Sequence, residues 1–143
     1  MINPAHLHPM IVHFPIALII TGYLAEVVFL FFKNEKCLSK TGLYLLILGT
    51  LAALAAWSTG HLFTSEPTQG AIMSVFGKHK TGGLITLLLM AACCIFRLYL
   101  VLYKKEETML KWIAFGIYTL GFLAVAFTGY LGGIMVYDYM MAL

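Results

Sequence analysis

The chain has 143 residues, of which 62% are hydrophobic and only 10% are charged, and its mean hydropathy is +0.93. A soluble domain of this size cannot bury so much apolar surface, so the composition excludes a soluble globular protein and predicts an integral membrane protein. The net charge is only +3. Because the basic residues lie mostly in polar loops, where they set membrane orientation, we expect no nucleic-acid partner.

Four apolar segments are each close to or longer than the roughly 20 residues that a helix needs to cross a bilayer. They cover approximately residues 10–32, 41–63, 81–103 and 111–137. The first and third connecting loops are short enough to make consecutive helices antiparallel neighbours. The predicted fold is therefore an all-α integral membrane fold, an antiparallel up-down-up-down four-helix transmembrane bundle. It forms one domain over residues 1–143, in which the first and third helices are diagonal.

The basic residues predict the orientation of the bundle. Seven of them lie in or beside the first and third loops: Lys33, Lys36, Lys40, Arg97, Lys104, Lys105 and Lys111. The second loop carries only Lys78 and Lys80. Because basic loops stay in the cytoplasm, both termini are expected outside, which places all five histidines near the outer face. We expect a multi-pass protein of the bacterial inner membrane, embedded in its lipid bilayer.

The histidines are the candidate functional residues, because an imidazole that leaves water needs a partner. His6 lies in the lead-in and is expected to be solvated. His8 precedes Pro9 and suits a polar position at a helix start, whereas His13 lies inside the apolar run, just before Pro15. A kink or late helix start at Pro15 would aim His13 inward.

The remaining two histidines lie at the same predicted level of the bundle. His61 is near the end of the second helix, where a ligand and a hydrogen-bonding residue are equally compatible with its position. His79 is expected to open the third helix, which makes it the natural mate for His13. Each ligating imidazole is expected to donate its other N–H to a carbonyl or hydroxyl, with Thr59, Thr128 or the carbonyl freed by Pro15 within reach.

Two neutral imidazoles on facing helices are the usual axial ligands of a b-type haem in a membrane bundle. The sequence thus predicts haem b held by His13 and His79, with His8 and His61 as a second tier of cofactor-binding residues. The same residues, His13 and His79 first, would alternatively bind copper, zinc or iron. In a third hypothesis the protein is a non-catalytic membrane adaptor whose histidines only bond loops and helix ends.

No catalytic residue is identifiable, so enzymatic activity stays open, and a subunit of a quinone-linked oxidoreductase is one option. Small residues in the second and fourth helices predict tight helix contact. Alternatively, Gly60, Gly129 or Gly132 clears space for a flat cofactor near the histidines.

Glu26 and Arg97 are charges inside the apolar segments. They lie at matching depths, since each is six or seven residues from the predicted cytoplasmic end of its helix and a helix rises about 1.5 Å per residue. We expect them to pair. The alternatives are a role in proton uptake or quinone contact, and an arginine that only reaches toward the headgroups.

The segment "LHPMIVHFPIAL" resembles the signature of a bacterial four-helix family of predicted membrane proteins of unknown function, whose members begin with a motif of the form HPxxVHFPIAL. The likeness continues in "STGHLF", "HKTGG" and "TGYLGGIMVY". Some members are fused to c-type cytochrome or Rieske iron-sulfur modules. The resemblance therefore implies electron transfer, with a c-type cytochrome or another redox partner and quinone.

Within that resemblance, the family's histidines correspond to His8, His13 and His79, whereas His61 is less typical of it. The oligomeric state stays open, and a homo-oligomer is one option.

Overall fold

A computed structural model describes residues 7–106 and 108–140 of the chain. Within these residues all regular structure is helical, and five helices follow one another: α1 (Leu7–Ile11), α2 (His13–Phe31), α3 (Lys36–Phe63), α4 (Ile72–Leu102) and α5 (Leu110–Tyr137). The first two together form one span, Leu7–Phe31. The protein thus has four segments long and apolar enough to cross a membrane, which confirms the expected four-helix membrane bundle.

The first span is interrupted at Val12, between α1 and α2. The Val12 amide still donates to the carbonyl of His8, at 3.1 Å. Pro15 lies in the first turn of α2, where backbone amides have no acceptor inside the helix, so its missing N–H costs little. The expected late helix start is therefore present, and it is preceded by a short helical turn that carries His8.

The four spans pack in a closed ring. α2 packs against α3, α3 against α4, α4 against α5, and α5 returns to α2, while α1 packs mainly against α3. The first and third spans are therefore diagonal, as expected. The centre of the ring is a buried cluster that draws on all four spans: Ile19, Leu46, Met90, Cys93, Tyr118 and Val125.

Close contact between backbones holds this ring together, since in lipid apolar burial gives no net drive for helices to associate. A Cβ atom at Gly49 of α3 would lie only 2.9 Å from Cγ1 of Ile19 on α2. A Cβ atom at Gly121 of α5 would collide with the sulfur of Met90 on α4. Glycine at these two positions lets neighbouring helices approach, as the sequence predicted for the small residues.

The α4 helix begins at Ile72 rather than near residue 81, so the loop between α3 and α4 shortens to residues 64–71. Hydropathy does not detect the first turns of α4 because they include Gly77, Lys78 and Lys80. The helix has 31 residues and is about 46 Å long at 1.5 Å per residue, which exceeds the hydrocarbon thickness of about 30 Å. His79 therefore lies inside α4, two turns from its start, and does not open the helix.

Candidate histidine site at one end of the bundle

Two histidine rings meet at the end of the bundle where α1 begins, α3 ends, α4 begins and α5 ends, here termed the histidine end. The ring centroids of His8 on α1 and His79 on α4 are 6.2 Å apart, and the ring planes make an angle of 82°. Both residues are half-buried. The first and third spans, which are diagonal in the bundle, thus bring one imidazole each to a common point.

Each ring is fixed by a backbone carbonyl from a further helix. Nδ1 of His8 lies 2.9 Å from the carbonyl oxygen of Ala56 on α3, and Nδ1 of His79 lies 2.9 Å from that of Thr128 on α5. A carbonyl oxygen can only accept, so in both rings Nδ1 carries the proton and donates it. Every hydrogen bond that the two rings make with the described residues involves Nδ1. In a neutral imidazole this leaves the Nε2 lone pair available to a ligand.

Hydroxyl and carbonyl partners near the rings agree in part with the expectation from sequence. Thr59 Oγ1 lies 3.5 Å from Nδ1 of His8 and also donates to the carbonyls of Ala55 and Ala56, so its contact with the ring is secondary. Thr128 contributes its carbonyl, whereas its hydroxyl donates to Ala124 within α5. The role of the Ala56 carbonyl could not be predicted from the sequence, because every residue has a backbone carbonyl.

Glycines make room for both imidazoles. A Cβ atom at Gly60 would lie 2.8 Å from Cε1 of His8, and one at Gly132 would lie 3.3 Å from Cε1 of His79. A Cβ atom at Gly129 would instead meet Ile16, at 3.3 Å. Gly60 and Gly132 therefore clear space for the histidine rings, while Gly129 serves helix packing.

The distance between the two rings matches that of two imidazoles bound to one metal centre. With metal–nitrogen bonds of about 2.0–2.1 Å, such rings have centroids about 6 Å apart. The observed 6.2 Å agrees with this value. Two imidazoles of this kind would be able to hold a haem iron.

The other candidate histidines lie elsewhere. His13 is exposed, and its Nδ1 lies 2.9 Å from the carbonyl oxygen of Pro9 in its own span. Five residues turn a continuous helix by about 140° beyond a full turn, so His8 and His13 point to different sides of the first span. The structure thus brings His79 together with His8, and the expected pair of His13 and His79 is not the one it forms.

His61 is also exposed and stacks on Trp57, with ring centroids 5.5 Å apart and planes 2° from parallel. Nearby, Lys80 donates to the Glu66 carboxylate in the loop between α3 and α4. This hydrogen bond, together with the charge of Lys80, holds the pKa of Glu66 below its ordinary value. His6 lies outside the described residues.

A site with several protein ligands for a bare metal ion is not found in residues 7–106 and 108–140. No group of three or more His, Cys, Asp or Glu side chains there is placed to hold a metal ion. The histidine pair therefore offers two imidazole nitrogens and no third protein ligand from the described residues. Two nitrogens complete the coordination of a haem iron, because the porphyrin supplies the other four positions.

At the opposite end of the bundle, here termed the ion-pair end, Arg97 and Glu26 form the expected contact. Arg97 Nη2 donates to Glu26 Oε1 at 2.7 Å, and the two side chains are only 11% and 9% exposed. The same nitrogen lies 3.4 Å from Ser39 Oγ on α3. The pair ties α2 to α4 across the diagonal of the bundle.

Comparison with known proteins agrees with the membrane architecture. No curated protein and no solved structure matches the chain. A family model described as "Predicted membrane protein (DUF2231)" matches residues 4–143, which is nearly the whole chain. The protein is therefore a multi-pass membrane protein that belongs to the predicted membrane protein family DUF2231.

Proposed function

We propose that the protein binds one b-type haem at the histidine end, with His8 and His79 as its axial ligands, and transfers electrons there. One observation carries the proposal: the Nδ1 atoms of both rings donate to carbonyls, of Ala56 and Thr128, so both Nε2 atoms remain for iron. Metal-ligating histidines almost always donate their other ring N–H in this way, which fixes the ring and raises its basicity.

The chain's own residues hold and orient the group. The carbonyls of Ala56 and Thr128 set the tautomer of each ring, and the absence of side chains at Gly60 and Gly132 lets the rings sit against α3 and α5. Haem supplies one-electron chemistry, and the protein tunes its potential through burial and hydrogen bonding. In this proposal, the electron transfer takes place near one surface of the membrane.

The location and partners follow from the loops and from the family resemblance. The basic first and third loops favour a histidine end at the outer face of the bacterial inner membrane. The resemblance to proteins fused to c-type cytochrome or Rieske modules favours electron exchange between the quinone pool and an extracytoplasmic carrier. In that arrangement the protein works as an electron-transferring subunit of a quinone-linked oxidoreductase.

A bare copper, zinc or iron ion is the second candidate, because the spacing of 6.2 Å between ring centroids also suits a single ion between two Nε2 atoms. It requires further ligands from water or a partner, since the described residues supply no third one. In the adaptor hypothesis, the same hydrogen bonds only tie α1 to α3 and α4 to α5.

An absorption spectrum and an elemental analysis of the purified protein separate the three candidates. The proposal expects a sharp Soret band with α and β bands on reduction, about one haem per chain, and loss or conversion of the low-spin spectrum in His8→Ala and His79→Ala. His61→Ala is the matched control and should leave the spectrum unchanged. Copper or zinc without haem would favour the second candidate. Neither haem nor metal, in protein purified and reconstituted with haem, would contradict both.

A further inference from the structure

A groove runs between α4 and α5 at the histidine end, on the outer surface of the bundle. Its volume is about 540 Å³, which lies within the range of about 300–1,000 Å³ typical of ligand sites. Its lining includes three polar residues of α4, Ser74, Lys78 and Thr81, and it continues past Ile85 to Phe127 of α5. No part of the haem proposal uses this groove.

The polar and apolar parts of the groove are ordered along the membrane normal. Ser74 to Ile85 spans about 16 Å of α4 at 1.5 Å per residue, with Met73 and the three polar residues toward the helix start and Ile85 deepest. From α5, Phe127 and Ala124 line the groove. The groove therefore offers a polar mouth near the membrane surface and an apolar floor toward the membrane centre, which is the polarity of a lipid.

The two lysines of this region differ in whether a carboxylate balances their charge. Lys80 donates to Glu66 and is neutralised by it. Lys78, which lines the groove, makes no hydrogen bond or ion pair with residues 7–106 or 108–140. The mouth of the groove thus presents a cation that no carboxylate of the described chain balances, and it complements an anionic head group.

We propose that the groove binds an anionic phospholipid. The phosphate lies against the ammonium group of Lys78, with the hydroxyls of Ser74 and Thr81 as further donors, and one acyl chain follows the floor past Ile85 and Phe127. A free anion would contact only the polar mouth of the groove. A zwitterionic lipid would bring its own cation close to the ammonium group of Lys78, which would repel it. The bound lipid packs against both α4 and α5 beside the segment that carries His79.

The test measures phospholipid binding to the purified, delipidated full-length protein by native mass spectrometry. Phosphatidylglycerol and phosphatidylcholine with identical acyl chains are compared, and the occupancy of the first bound lipid is recorded. The proposal expects a clear preference for phosphatidylglycerol. Lys78→Gln should weaken phosphatidylglycerol binding about tenfold, as expected for loss of one charge-assisted contact, and should leave phosphatidylcholine binding unchanged. Lys80→Gln is the matched control and should retain the preference.

A steric variant tests the apolar floor without touching the charge. A Cβ atom at Gly77 meets no atom within 4 Å, so Gly77→Leu fills the groove without disturbing the bundle, and it removes a glycine from a helix interior. It should lower binding of both lipids. Gly83→Leu adds the same side chain to open space on α4 outside the groove lining and should lower neither.

Three results would overturn the proposal. Equal losses in Lys78→Gln and Lys80→Gln would show that general surface charge attracts the lipid. Unchanged binding in Gly77→Leu would show that the lipid does not occupy the groove. Displacement of phosphatidylglycerol by inorganic phosphate at equal concentration would show that the chain recognises the anion alone.

Discussion

The two ends of the bundle each hold one polar pair that links the first span to α4, and the two pairs differ in how their polar atoms are satisfied. At the ion-pair end, Glu26 and Arg97 bond directly to each other at 2.7 Å. At the histidine end, His8 and His79 face each other at 6.2 Å, and each donates its N–H outward to another helix. Glu26 and Arg97 thus hydrogen-bond to each other, whereas each histidine ring keeps an unused lone pair on Nε2.

A glycine packs against one member of each pair. A Cβ atom at Gly42 would lie 2.6 Å from Oε1 of Glu26, and one at Gly60 would lie 2.8 Å from Cε1 of His8. Both pairs are therefore packed against backbone and cannot shift freely. The difference between the ends therefore lies in bonding and not in packing. It favours a stabilising role for the ion pair, and the proposed function assigns ligand binding to the histidine pair.

The largest effect is expected from breaking the ion pair on one side only. Arg97→Met leaves Glu26 buried without its partner, and Glu26→Met leaves Arg97 buried without its partner. Each variant should lower the free energy of unfolding by about 3–5 kcal/mol. The double variant should be much closer to the wild type, because neither charge is then stranded. Denaturant unfolding in detergent micelles measures this, and single variants as stable as the double variant would count against the pair.

A smaller loss is expected where a methyl group is forced onto the ion pair. Gly42→Ala places a Cβ against the Glu26 carboxylate and should cost about 1–3 kcal/mol by overpacking. Gly116→Ala is the control, since its Cβ meets no atom within 4 Å and alanine favours a helix by about 0.8–1.0 kcal/mol. The same unfolding assay should give opposite signs for the two variants, and equal effects would contradict the packing argument.

The histidine pair should contribute less to stability in the ligand-free protein. His8→Ala and His79→Ala each remove one hydrogen bond to a carbonyl, worth about 0.5–1.5 kcal/mol. Because the rings do not bond to each other, the two losses should nearly add. A double-mutant cycle should therefore give a small coupling energy, in contrast to the ion pair. A coupling as large as that of Glu26 and Arg97 would remove the distinction between the two ends.

The smallest effect is expected from the exposed pair of Lys80 and Glu66. The pKa of Glu66 is lower in the folded protein than its ordinary value of 4.5. The stabilisation that the ionised Glu66 gives the folded state is therefore fully present above pH 4.5 and is lost as the pH falls through the lowered pKa. The Glu66 side chain is 64% exposed, so solvent screens the interaction. Glu66→Gln should leave the melting temperature at pH 7 unchanged within error. A shift comparable to that of Gly42→Ala would show that this loop stabilises the bundle.

The sequence predicts much of the fold because the membrane restricts the possibilities. A segment in lipid must satisfy its own backbone, so long apolar segments can only be helices, and short loops make them antiparallel. The pairing of Glu26 and Arg97 was predictable for the same reason, since two opposite charges at equal depth have few other partners. The start of α4 could not be predicted, because Gly77, Lys78 and Lys80 are residue types typical of a loop.

The histidine site was predictable only in part. Sequence places His8, His13 and His79 at one level of the bundle, but depth alone does not give the rotation of a helix about its axis. His8 and His13 are five residues apart and therefore point to different sides of the span, and in the structure His8 contacts α3 and α4 while His13 is exposed. The carbonyls of Ala56 and Thr128 complete the site, and backbone groups carry no sequence signal.

The most direct test compares His8→Ala with His13→Ala, because the two residues have the same chemistry and only His8 faces His79. Each variant is purified, supplied with haem, and examined by absorption spectroscopy in the reduced state, with unfolding measured in parallel to confirm that both fold. We expect His13→Ala to retain the low-spin spectrum of a haem with two imidazole ligands and His8→Ala to lose it. A spectrum retained in His8→Ala and lost in His13→Ala would contradict the assignment of the site.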